Sequence, residues 1–414
     1  MNNLRTYSIS LVILLCAALP QRVTAADLTR TSWWDVQSVD TMKYSRDLTR
    51  EKITDPTFDE VIDTQVKDIA LLGATYMAFA TPYDKEFTPM LTRWVTAARR
   101  HGLKVWFRGN FSGWEKWFDY PKMTRDEHLK LSKEFIKANA SLFEDGDIFT
   151  PCPECENGGP GDPRQTGDIE GHRLFLISSF NTATEAFREI GKGVRVGYFS
   201  MNYDVAKAIM DRRTTEALGG IVTIDHYVAS PQQMDIDVSA IASQSGGKVF
   251  IGEFGAPIPD IHGTMSEDAQ AKWIDDALYL LARNPAVIGI NYWVNVGGST
   301  QLWTEGGQPK KAISSLQKYY IPKQIIGHVI NQHGNPITNA EVSNTYKTVK
   351  TDSRGYFSLP VLDGDSLVIG KYNDYPVVEI HPDSFQGDTT LVIPTSDKTL
   401  WELFLGFFKR LFLL

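Results

Sequence analysis

Between residues 33 and 320, short apolar runs alternate with longer amphipathic stretches. Eight of the short runs predict strands: 33–36, 75–80, 104–108, 147–150, 195–199, 221–224, 248–251 and 287–292. Several carry no polar residue at alternate positions, as strands covered on both faces do. Between them, residues 58–72 place Val61, Ile62, Val66, Ile69 and Leu72 near helical spacing. Segments 88–100, 125–142, 171–190, 204–217 and 267–283 behave similarly, and 232–245 is the weakest of the set. Gly73, Gly102 and Gly193 stand between helix and strand, where a helix-terminating glycine belongs. Strands separated by helices over this length predict a (β/α)8 barrel. A doubly wound open sheet is the runner-up, but no Gly-rich phosphate loop follows the first strand.

The period then changes. Residues 324–394 read as short strands with turn signals between them, which implies a small all-β sandwich. The turns carry Gly327-x-Val329, Gly334-x-Pro336-Ile337-x-Asn339-Ala340-x-Val342, Thr351-Asp352-x-x-Gly355-x-Phe357 and Leu359-Pro360. In these residues the segment resembles the carboxypeptidase regulatory-like, transthyretin-type module. That resemblance implies a structural or adhesive role and no catalysis. The expected organisation is a signal at 1–26, a barrel at 27–322, a sandwich at 323–395 and an apolar tail at 396–414.

Both termini bear on location. Arg5, the apolar stretch 9–19 and the small residues 23–26 read as an export signal rather than a retained anchor, because the run is short for a span. The protein is therefore expected to be exported: periplasmic, secreted or at the cell surface. Residues 399–414 are almost wholly apolar, interrupted by Glu402, Lys409 and Arg410. They could lie as a helix in a membrane interface or pack on protein. A net charge of −8 argues against a nucleic-acid partner. With the signal removed, Cys152 and Cys155 remain, in Cys-Pro-Glu-Cys. In an oxidising compartment they could form a short-loop disulfide or stay as two buried thiols. No second cysteine pair completes a metal site, and no cofactor motif appears.

In a barrel of this type, chemistry collects where strands end and the following loops begin. Two such ends carry glutamates: Asp147-Ile-Phe-Thr-Pro-Cys-Pro-Glu154 and Lys248-Val-Phe-Ile-Gly-Glu253-Phe-Gly255. Two carboxylates brought to one face are what glycosidic bond cleavage needs, one as proton donor and one as nucleophile or electrostatic stabiliser. The other predicted ends bring Asp35, Arg108 with Asn110, Asn202, Asp225 with His226 and Tyr227, and Trp293. Trp33, Trp34, Trp106, Trp114, Trp117, Trp293 and Trp303 are expected near this end, and as a collection they suit the C–H faces of sugar rings. Trp106, inside a strand, is expected in the core.

With Gly252-Glu253-Phe254-Gly255 on the seventh strand of eight, residues 30–320 resemble clan A of the retaining glycoside hydrolases, the group of the family 5 endoglucanases and mannanases. The resemblance implies Glu253 as nucleophile and a strand-four glutamate as acid/base. Glu154 occupies that place, with Glu156 as the alternative. The clan has Asn before its acid/base, contacting the sugar 2-hydroxyl; here Pro153 stands there and offers no side-chain donor. The resemblance further implies that Arg108 steadies the nucleophile, that His226 or Tyr227 contacts nucleophile or substrate, and that Trp293 floors the sugar site. Asp35 and Asn110 are implied as sugar hydrogen-bonding groups. The implied substrate is an oligo- or polysaccharide with β linkages. A transglycosylase with the same residues, or a non-catalytic carbohydrate-binding or cell-surface protein on a degenerate barrel, remains open. The latter expects Glu154 and Glu253 to point apart or be salt-bridged; the enzyme expects them to converge.

Overall fold

The computed structural model describes residues 31–363, 368–373, 378–380 and 389–393. The expected signal and apolar tail lie outside these residues. Nine parallel strands form a single curled sheet: β1 Val36–Asp40, β2 Tyr76–Phe79, β3 Lys104–Phe107, β4 Ile148–Phe149, β5 Arg195–Val196, β6 Ser200–Asn202, β7 Ile221–Asp225, β8 Lys248–Phe254 and β9 Val287–Tyr292. Their order is β5-β4-β3-β2-β1-β9-β8-β7-β6. The two ends of that order, β5 and β6, are consecutive in the chain, so the sheet closes across a break in one strand. This is a (β/α)8 barrel whose fifth strand is split.

The split departs from the continuous strand expected at 195–199, and its cause is local. Gly197 has φ 112° and Tyr198 has φ 55°, and neither value continues a pleat. Tyr198 instead turns into the barrel interior, where it joins Val36, Tyr76, Ala78, Trp106, Ile148 and Phe250. Trp106 and Phe250 meet edge to face with ring centroids 5.0 Å apart. Gly289 makes room for this layer, since a Cβ there would lie 2.3 Å from the Phe250 ring. The interior is thus packed with side chains rather than open.

The first strand also begins later than expected. Trp33 and Trp34 precede it, and β1 runs through Gln37, Ser38 and Asp40, all fully buried. Gln37 and Asp40 are tolerated inside because they are bonded, whereas the Ser38 hydroxyl has no partner among the described residues. The Gln37 side chain accepts from Trp33 N at 2.9 Å and donates to Tyr320 O at 3.0 Å. A second correction concerns helix ends. Gly73 and Gly102 adopt positive φ as expected, but Gly191, at φ 68°, follows helix Ile169–Glu189 in the place expected of Gly193. The expected helix at 204–217 is two, Tyr203–Ile209 and Arg212–Ala217, the second capped by the Asp211 side chain on Thr214 N. Segment 232–245, the weakest in pattern, is a full helix, Pro231–Ser245, capped by Ser230.

After the barrel come two small sheets. One is β10 Lys323–Asn331, β13 Tyr356–Val361 and β16 Thr389–Ile393; the other is β11 Glu341–Ser343, β12 Thr348–Lys350, β14 Val368–Lys371 and β15 Val378–Ile380. Residues of both enclose a core that includes Ile325, Val329, Val342, Phe357 and Leu391. This unit touches the barrel at the end where strands begin. Lys347 Nζ donates to Trp33 O at 2.8 Å, and the Arg283 guanidinium lies 4.7 Å from the Tyr346 ring. It therefore stands at the end opposite the strand C-termini. No helix among the described residues is long and apolar enough to cross a membrane.

Candidate active site

The apolar run Val249-Phe250-Ile251 buries β8 beyond its exposed first residue, Lys248, and carries Glu253 to the C-terminal end of the barrel. Two glycines make this approach possible. A Cβ at Gly252 would lie 2.4 Å from Asp225 Oδ1, and one at Gly255 would lie 2.6 Å from Trp293 O. The register of β7 on β8 shifts at this point and pairs Asp225 with Glu253. Glu253 is 7 % exposed, enough to face the cleft.

Arg108, immediately after β3, lies beneath these acids and is fully buried. Its Nη1 is 2.6 Å from Glu253 Oε1 and 2.8 Å from Asp40 Oδ2; its Nη2 is 3.2 Å from Asp225 Oδ2 and 3.0 Å from Ser200 Oγ. Burial alone would lower the guanidinium pKa, but the charges of Glu253, Asp225 and Asp40 hold it well above its ordinary value. Tyr227 donates its hydroxyl to Glu253 Oε2 at 2.8 Å, and its ring stands edge-on to Trp293 at 6.1 Å. Both carboxylate oxygens of Glu253 are thus oriented.

Glu154 reaches the same point from the β4 loop. It adopts φ 44°, and its backbone N–H donates to Ser200 O at 2.7 Å. Cys152 and Cys155 form a disulfide around it. That loop is held from behind. Asn110 Nδ2 donates to Cys152 Sγ at 3.7 Å, Asn110 Oδ1 lies 2.9 Å from His128 Nε2, and Trp114 Nε1 donates to Cys155 O at 3.0 Å. One carboxylate oxygen from each of Glu154, Asp225 and Glu253 lies within 4.8 Å of the other two. Burial, then the charge of Glu253, pushes the Glu154 carboxyl up to about 8.

Several expected positions are corrected. Asp35 precedes β1 and belongs to the opposite end, where it lines a small cavity with Lys347, away from the paired glutamates. The residue that ends β1 inside the site is Asp40. Asn110 is fully buried and spends its amide on the disulfide loop and His128, so it supports the site rather than meeting a sugar. Of the adjacent pair, Tyr227 points to Glu253, whereas His226 turns away to Asp237 Oδ2 at 2.8 Å. Glu156 is 3 % exposed, accepts from Asn202 N at 2.7 Å, and is not part of the three-carboxylate group. Burial raises its carboxyl pKa. The tryptophans scatter. Trp33 and Trp34 lie at the far end, Trp106 in the barrel core, and Trp114 and Trp303 are buried. Trp293 and Trp117 remain half-buried, the latter with Arg46 4.6 Å from its ring centroid. The pattern of the sequence did not single out Glu115, whose carboxyl is pushed up to about 7 by burial and, against Arg46, by the charge of Glu156.

The disulfide gives a measurable expectation. Its closed loop is very short, so its contribution to global stability is small, whereas it sits on the segment that aims Glu154. Reduction under conditions that preserve the fold is expected to lower activity several-fold while moving the melting temperature by only a few degrees. Alkylation with and without reductant, read by mass, checks the bond. Two thiols that alkylate freely in unfolded, unreduced protein contradict it.

No family model matches this chain, and no curated protein matches it in sequence. Solved structures do. A GH5_18 protein from Streptomyces cattleya, crystallised with Manb1-4GlcNAc, matches with a TM-score of 0.52 at 13% identity, over 72% of this chain and 84% of that one. A GH5_18 protein from Bifidobacterium longum, with the same ligand, gives 0.48 at 16% identity over 73% and 84%. The β-glycosidase BGL167 gives 0.47 at 14% identity over 71% and 97%. At its identity and TM-score, the likeness to the Streptomyces cattleya protein bears on the fold alone, and it agrees with the barrel described above.

Proposed function

We propose that this protein is an exported retaining glycoside hydrolase acting on β-linked oligo- or polysaccharides. The observation that carries the reading is the convergence of Glu154 and Glu253, one carboxylate oxygen of each lying within 4.8 Å of the other. The non-catalytic reading asks for glutamates that diverge or are salt-bridged. Glu253 is ion-paired to Arg108, yet it still converges on Glu154, and it is the convergence that bond cleavage requires. Inverting enzymes hold their carboxyl groups about 6.5–9.5 Å apart to admit a water, whereas retaining enzymes hold them at about 5–5.5 Å. One oxygen of each lying within 4.8 Å brings the pair into the range in which such carboxyl groups act together, and the retaining assignment follows the resemblance carried by Gly252-Glu253-Phe254-Gly255.

In the proposed mechanism, Glu253 attacks the anomeric carbon. Arg108 and Tyr227 fix its two oxygens, so no reorganisation is needed during attack. Glu154, kept protonated by burial and by the neighbouring anion, gives its proton to the leaving oxygen. It then takes a proton from the water that releases the sugar. Trp293 offers an aromatic face beside Tyr227 for the reacting ring. The last apolar segment, 399–414, would bring the enzyme to a membrane surface.

The test is stereochemical. Hydrolysis of an aryl β-glycoside, followed by proton NMR, should give the β-hemiacetal first, with the α-anomer growing in by mutarotation. An α-anomer as first product overturns double displacement.

A further inference from the structure

Three carboxyl groups surround the Arg108 guanidinium, and the proposed mechanism uses only that of Glu253. Asp40 ends β1 and is fully buried, so no sugar reaches it. Every partner of its carboxyl among the described residues is a donor. Oδ1 accepts from Met42 N at 2.6 Å, and Oδ2 accepts from Arg108 Nη1 at 2.8 Å and from Asn291 Nδ2 at 3.3 Å. A carboxyl that accepts throughout and gives to nothing is placed as an anion. Burial raises its pKa, the Arg108 charge opposes the rise and the Glu253 charge adds to it. The Asn291 amide also donates to Gly252 O at 2.9 Å, which ties Asp40 to the strand residue just before Glu253.

The geometry at Nη1 decides what this anion does. That nitrogen lies 2.8 Å from Asp40 Oδ2 and 2.6 Å from Glu253 Oε1, so one end of the guanidinium faces two carboxyl groups. A cation beside a carboxylate favours its charged form but draws on the electron pair that must attack, and basicity and nucleophilicity fall together. A second anion on the same nitrogen offsets that pull and leaves the cation in place to orient. The other neighbours do not substitute for it. β2 and β9 carry no charged residue, the turn Met42–Ser45 gives Asp40 a backbone N–H, and Lys43 in that turn pairs with Asp47 at 3.2 Å. Around Glu253 stand Arg108, the Tyr227 hydroxyl, Glu154 and Asp225. Burial and then the Glu253 charge hold Asp225 well above the usual carboxylate range, so it stays protonated and brings no further charge.

We propose that Asp40 is a positioning residue for Glu253: it fixes Arg108 and, as a second anion on the same nitrogen, keeps the guanidinium from neutralising the nucleophile. The consequence for rate rests on the hydrolase reading; the coupling of the two carboxyl groups does not.

The experiment compares the full chain with Asp40→Asn, which keeps the shape of the carboxyl and removes its charge. Carbon-13 NMR of labelled glutamate carboxyls follows the titration of Glu253, whose signal is the one absent from Glu253→Gln. With position 40 neutral, Glu253 should titrate about 1 pH unit lower. The acidic limb of kcat/KM on an aryl β-glycoside should move the same way. At the plateau kcat should fall about tenfold with KM held within about twofold, because Asp40 acts through Arg108 and not on the sugar. A part in packing alone would lower the melting temperature and leave the Glu253 titration where it was. A folded Asp40→Asn protein with that titration unmoved overturns the proposal, whatever its rate.

Should Asp40→Asn fail to fold, Glu253→Gln decides, because coupling between two sites is reciprocal. Removal of the Glu253 charge should lower the titration of Asp40 by the same amount. Labelled aspartate carboxyls read it, with the Asp225 signal identified by its absence from Asp225→Asn. If no other aspartate signal moves, the proposal is overturned. A wild type that is active without the coupling sinks this proposal alone. One that shows the coupling but hydrolyses no glycoside sinks the hydrolase reading and leaves the charge relation standing.

Discussion

Glu253→Gln is expected to reduce kcat on every glycoside by at least about 10⁴-fold, whatever the leaving group, the scale on which removal of a nucleophile leaves only binding and residual electrostatics. The amide keeps the shape of the carboxyl. Its oxygen can still face the Arg108 guanidinium, which also retains Asp40 and Asp225, so the fold has no reason to fail. What the variant loses is the attacking oxygen, and with it the covalent intermediate. The loss should therefore be the same for an activated aryl glycoside as for a natural glycan, because an easy leaving group does not replace a nucleophile. Initial rates on both classes, with melting curves to show that the protein is intact, provide the check. A Glu253→Gln enzyme within tenfold of wild type would remove Glu253 from the chemistry, and the convergence with Glu154 would then be a structural ion cluster.

The legible parts of this fold are those where burial is uniform. Val249-Phe250-Ile251 and residues 287–292 read as strands because both faces are apolar, and Glu267–Arg283 reads as a helix because its apolar stripe repeats cleanly. The first strand was displaced because its buried residues include Gln37, Ser38 and Asp40, which apolarity does not mark; Gln37 and Asp40 are held there by specific bonds. Periodicity sees only hydrophobicity, so it took the two tryptophans ahead of the strand instead. That displacement also replaced Asp40 with Asp35 in the expected site. The site itself was legible where a motif was continuous, as in Gly252-Glu253-Phe254-Gly255. It was illegible where function depends on side-chain direction. Nothing in Asp225-His226-Tyr227 says which ring turns inward; that is fixed by Asp237 waiting for His226 on a neighbouring helix.

Glu154→Ala is expected to divide substrates by leaving group. On glycans, whose leaving alkoxide must be protonated, the loss should reach about 10²–10⁴-fold, the range typical of general acid catalysis. On aryl glycosides that depart without a proton, formation of the glycosyl-enzyme should be nearly spared and its hydrolysis should become slow. Azide should then restore turnover and yield a glycosyl azide, because a small anion can enter the space left by the carboxyl and needs no base. The pH profile supplies a second readout. Glu154 must be protonated for the first step, and burial together with the Glu253 charge places its carboxyl at about 8. The kcat/KM of the wild type on a poor leaving group should therefore hold below pH 8 and fall about tenfold per unit above it, as protonated acid is lost. Glu154→Ala should lack that limb. The same electrostatics serves the second step. Esterification of Glu253 removes its negative charge, a cause that raises Glu154, so the carboxyl becomes more acidic at the moment it must act as base. A Glu154→Ala enzyme that loses the same factor on every leaving group, ignores azide and keeps the wild-type limb would assign Glu154 to loop structure. It would move the proton to Glu156, where the bond to Asn202 would have to break before the carboxyl could reach the cleft.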